Sequence, residues 1–82
     1  MKKLVTFKLI EQKGDVYHYE YYVEDKVEKD YTGILIFNNK EKKIIEKVIA
    51  KYDYRENYYS HFVRSINDKN GNPKVAGIGA WY

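Results

Sequence analysis

Apolar positions along this chain alternate with polar ones in short runs, and the runs are separated by polar turns. Leu4 to Glu11 mixes Val, Thr, Phe, Leu and Ile and predicts a strand. Gln12-Lys13-Gly14-Asp15 follows, a polar, glycine-bearing stretch suited to a hairpin turn. Val16 to Glu24 reads Val-Tyr-His-Tyr-Glu-Tyr-Tyr-Val-Glu. A period of two puts Tyr17, Tyr19, Tyr21 and Val23 on one face, and Val16, His18, Glu20 and Tyr22 on the other. These two strands should form an antiparallel hairpin. After a charged connector, Asp25 to Asp30, the segment Tyr31 to Asn38 is apolar on both faces and predicts a central strand.

Lys43 to Tyr52 fits two periods. Ile44, Ile45, Val48, Ile49 and Tyr52 suit a helical stripe. Four β-branched residues in six suit a pleated surface better, so we expect a strand and a second hairpin over 31–52.

Asp53 opens the clearest helix. It is a capping residue type, and Glu56 stands three positions on, as in a capping box. Tyr54, Tyr58, Phe62 and Ile66 recur every four residues, and Tyr59 and Val63 widen that stripe. Asn70-Gly71 stops the helix and Pro73 forbids a simple continuation, which leaves a helix of about 14 residues. Lys74 to Tyr82 should be a short last strand or an extended tail. The expected fold is therefore α+β: an antiparallel four-stranded sheet of two hairpins, with one helix packed on one face. That helix should set Tyr54, Tyr58, Phe62 and Ile66 against Leu35, Phe37 and Ile45 or their alternates.

At 82 residues the chain is one domain, expected to span 1–82. A core of this size leaves little room for a deep substrate cavity. The chain lacks cysteine, which removes disulfides, thiolate metal sites and thiol nucleophiles. Lys8 breaks the first apolar run too early for a signal peptide, and no apolar stretch is long enough to span a membrane, so a cytoplasmic protein is expected. Net charge is +3. Residues 1–41 carry −1 and residues 42–82 carry +4, a mild asymmetry for a nucleic-acid binder. Lysine outnumbers arginine 13 to 2, which also fits the codon usage of an AT-rich genome.

The turn-flanked hairpin 31–52, the Asp53-led helix with Tyr58, Tyr59 and His61, and the Ala80-Trp81-Tyr82 end resemble a group of small uncharacterised proteins from low-GC bacteria. The resemblance implies a fold and no function.

Candidate chemistry is sparse. His18 and His61 sit on different elements, without the spacing of a metal pair. Ser60 and His61 point about 100° apart on a helix, so they do not form a nucleophile and its base. Gly77-Ile78-Gly79 lacks the spacing of a phosphate loop, and the calcium-loop look of residues 68–72 is better explained by a turn ending the helix. No enzyme activity, cofactor or metal is expected. Arg55 and Arg64 would be half a turn out of register on the helix.

With ten tyrosines in the chain, the aromatic surface is the remaining signal. One helix covers one face of a sheet, and the other face must be solvated or covered by another chain. Tyr17, Tyr19 and Tyr21 line either the core or that open face. The leading expectation is a small protein-interaction or self-associating module, with a protein partner or homodimer held through Tyr17, Tyr19, Tyr21, Trp81 and Tyr82. The alternative is a single-stranded nucleic-acid binder that stacks bases on the same tyrosines and contacts phosphates through Lys43, Lys47 and Lys51.

Overall fold

The computed structural model describes residues 2–82. Five strands form one antiparallel sheet: β1 (Lys3–Lys13), β2 (Val16–Val23), β3 (Thr32–Asn38), β4 (Lys43–Val48) and β5 (Ala76–Trp81). Their order across the sheet is β4-β3-β2-β1-β5. One helix, α1 (Asn57–Ser65), lies between β4 and β5 in the chain. None of the described helices is long and apolar enough to cross a membrane.

The turns form where the polar stretches stand. Gly14, with φ +58°, closes the β1–β2 hairpin. At the β3–β4 turn the Asn38 side-chain oxygen accepts the Glu41 amide at 2.9 Å. Residues 43–48 are strand, as the β-branched run implies, but the strand stops before Ile49 instead of running to Tyr52. The tail is a full fifth strand: β5 pairs along β1 from Lys3 opposite Trp81 to Lys8 opposite Ala76.

Period-two alternation sorts the residues of the strands. Val5, Phe7, Tyr19, Tyr21, Val23 and Leu35 are buried on the face that α1 covers. Phe62 of α1 is the hub of this core. Its ring centre lies 5.2 Å from those of Phe7 and Tyr21 and 6.1 Å from that of Tyr19. The tyrosine ladder is thus the core face. It is not an open aromatic platform, because the alternate face of β2 carries His18 and Glu20 and so takes the uncovered side.

The helix departs from expectation in length and in the residues it buries. Arg55 and Glu56 both adopt φ +57°, which breaks any helix running from Asp53 and leaves Tyr54–Glu56 as a single 3₁₀ turn. Tyr54 is consequently exposed, and the buried residues of the stripe are Tyr59, Phe62 and Ile66. Asp53 still performs the capping chemistry from across the kink. Its Oδ1 accepts the Tyr58 amide at 2.8 Å and its Oδ2 the Tyr59 amide at 2.9 Å. Oδ2 also accepts the Tyr21 hydroxyl at 2.8 Å, and that hydroxyl accepts the Ala50 amide at 3.0 Å. A buried carboxylate therefore ties the helix start, strand β2 and the segment after β4 together.

Close approach also depends on two glycines. Gly33 lies beneath the Tyr21 ring and Gly77 beneath the Phe7 ring, and a Cβ at either position would collide with the ring above it. Gly33→Ala should therefore displace Tyr21 and destabilise the fold by about 1–3 kcal/mol, the usual range for overpacking. Urea unfolding checks this as a lower midpoint at unchanged slope. An unchanged midpoint would show that the ring moves at no cost.

Candidate functional site

The length of α1 determines where the surface is left open. Nine residues make a helix of about 13.5 Å. It packs against β5, β1 and β2, and leaves the β3–β4 flank of the same face partly uncovered. The register Leu35 opposite Lys47 and Phe37 opposite Ile44 puts those four side chains on this flank. A bulge beside Ile36 and Phe37 inserts Ile45 as an extra residue in β4 and turns Ile44 toward the helix side.

The result is a groove between α1 and β4. Leu35 and Phe37 form its floor, Ile44 one wall, and Tyr59, Val63 and Ile66 the other, around a volume of about 220 Å³. It continues past Ile44, Tyr59 and Val63 into a shallower depression of about 560 Å³ beside the start of α1. Ile44 is 55% exposed, so this apolar surface is open to solvent.

The rim is cationic. Lys42 and Lys43 border one end, and Lys47, Arg55 and Arg64 border the other. Glu56 is the one acid among these bordering residues, and its Oε1 is held by Lys47 Nζ at 2.6 Å. The hydrogen bond to Glu56 raises the Lys47 pKa above the usual lysine value. The Lys47 ammonium also lies 4.7 Å above the Tyr59 ring. Arg55 and Arg64 meet the same groove, contrary to the half-turn offset expected on a continuous helix. Arg55 precedes α1, and its left-handed backbone re-aims it.

The residues proposed from sequence are distributed differently. Tyr19 and Tyr21 have no exposed surface, so neither a partner protein nor a base can stack on them. Tyr17 is half-buried, parallel to Phe37 at 5.7 Å, and its hydroxyl accepts a bond from Gln12. Trp81 packs flat on His61 at 3.8 Å and edge-on to Tyr58 at 5.1 Å, which ties it to α1. Tyr82 is 90% exposed. Lys43 and Lys47 border the groove. Lys51 lies beyond the end of β4, with its ammonium 5.6 Å above the Tyr52 ring, so the three lysines do not form one stripe. Tyr17, Tyr19 and Tyr21 therefore supply no stacking surface beside Lys43, Lys47 and Lys51.

The uncovered sheet face is mixed in character. Tyr22 is buried at its centre, donates its hydroxyl to Glu20 at 2.8 Å, and has the Lys8 ammonium 5.9 Å above its ring. Ile34 and Ile36 are half-buried beside it, and Val48 and Ile78 are exposed. His18 lies on this face and His61 on α1, so the two imidazoles share no site. In the 68–72 turn, Asp68 Oδ1 accepts the amides of Asn70 and Asn72, which uses that oxygen to close the loop.

No family model matches the chain, and no curated protein or solved structure matches it. The groove was not anticipated from the sequence. The available signal was a helical stripe widened by Tyr59 and Val63 beyond what one sheet face requires.

Proposed function

We propose that this protein is a small non-enzymatic protein-interaction module and that the groove between α1 and β4 is its binding surface. One observation supports this reading above the others: Ile44 and Val63 stand exposed over an apolar floor of Leu35 and Phe37. A concave apolar surface bordered by charge is the usual anatomy of a recognition site. The uncovered sheet face is a weaker candidate, because Tyr22 at its centre is buried, with its hydroxyl bonded to Glu20 and the Lys8 ammonium over its ring.

Site-specific photo-crosslinking tests the reading. A photoreactive amino acid replaces Val63 in the groove or, as a control, Val75, which is exposed elsewhere. In the cells that make the protein, position 63 should give a discrete adduct of protein size and position 75 should not. An adduct of twice the chain mass identifies self-association, and any other protein mass identifies a partner. Identical adducts at both positions, or no protein adduct at 63, would overturn the proposal.

A further inference from the structure

We propose that the groove receives an amphipathic helix of a partner protein, with acidic residues flanking its apolar face. The inference rests on the interaction-module reading and names the kind of partner.

The first argument is dimensional. Neighbouring strands are about 4.8 Å apart, so five strands place the outermost axes about 19 Å from each other. Packed helices lie about 8–10 Å apart. This sheet face is wide enough for two helices side by side, and the chain lays α1 over β5, β1 and β2. A second helix beside α1 would rest on Leu35 and Phe37, with Ile44 on one side and Val63 on the other. Such a helix presents anchors at i, i+3 or i+4, and i+7.

The second argument is charge. Lys42, Lys43, Arg55 and Arg64 border the groove, and its one bordering carboxylate, Glu56, is already bonded to Lys47. Acidic flanks meet these cations, and basic flanks are repelled by them. The same reasoning disfavours a second copy of this chain, because groove against groove would bring the two cationic rims together. A lipid is disfavoured too: Ile44 and Val63 are exposed at the groove walls, so the groove does not enclose an alkyl chain.

Selection from a displayed library of random peptides, mixed in charge and in helical propensity, tests the proposal against the intact protein. Enriched sequences should carry apolar residues at helical spacing and a net negative charge. Lys43→Glu combined with Arg64→Glu should weaken binding on the order of tenfold, the sum of a few exposed charge contacts. Ile44→Asp should abolish it. All three positions are exposed, so the fold tolerates these changes. Neutral or basic winners that are still lost with Ile44→Asp would overturn the acidic helix and leave the module reading intact, as would acidic winners that are extended. No enrichment, or winners indifferent to Ile44→Asp, would overturn both.

Discussion

Asp53→Ala should lower the stability of the fold by about 3–5 kcal/mol, because it leaves two buried donors and one partly buried donor without an acceptor, each buried one worth about 1–3 kcal/mol when unsatisfied. The donors are the amides of Tyr58 and Tyr59 and the hydroxyl of Tyr21. Two of them are the free amides of a helix start, where loss of a cap alone costs about 1 kcal/mol. Folded domains hold about 5–15 kcal/mol in total, so this one change would remove a large share of the stability. Chemical denaturation followed by circular dichroism measures the loss. Asp53→Asn should lie between the variant and the parent, because its carbonyl oxygen still accepts while its amide faces other donors. A loss below about 1 kcal/mol for Asp53→Ala would mean that water replaces the carboxylate.

Raising the pH above 10 should unfold the protein through its tyrosines. Burial pushes the Tyr19 hydroxyl up to about 12, with a smaller contribution from neighbouring Tyr17. Burial raises Tyr21 further, and Asp53 adds to it while the Ala50 amide opposes. Tyr22 and Tyr58 are raised by burial and by their bonds to Glu20 and Glu24. In the unfolded chain these groups ionise near 10. Above that pH the unfolded state sheds protons that the folded state retains, so folding weakens as pH rises. The contribution is present in full below pH 10. Tyr19 and Tyr21 together should steepen the loss toward a ceiling of about 2.7 kcal/mol per pH unit around one unit above pH 10, and less as Tyr19 ionises in place at about 12. Urea midpoints across this range, recorded with tyrosinate absorbance, give the slope. A midpoint that stays level to pH 12 would show that both hydroxyls ionise in the native state.

Most strands were legible in the sequence because alternation is local. Tyr17, Tyr19 and Tyr21 share a face in the sequence and in the fold, and the β-branched residues of 43–48 form the strand their type favours. Asp53 was legible as a capping residue from its chemistry. Its geometry was not, because the left-handed turn at Arg55 and Glu56 carries no glycine to announce it. Which way the tyrosine ladder faces, and where the groove lies, depend on contacts distant in sequence. They follow from the side of the sheet that Phe62 chooses and from the register of β3 against β4. Val63 and Ile44 form opposing groove walls only after both are settled.

The pairing of β1 with β5 has a consequence for how the molecule is made. Of the five strands, β1 leaves the ribosome before the others, yet one of its two neighbours is the strand of the sheet made latest. Until Trp81 can reach Lys3, the outer edge of β1 is a row of unpaired amides and carbonyls beside Val5 and Phe7, a template for any other extended chain. Contacts so remote in sequence also close slowly. The nascent domain therefore passes through an interval in which it is adhesive, and its final strand ends that interval.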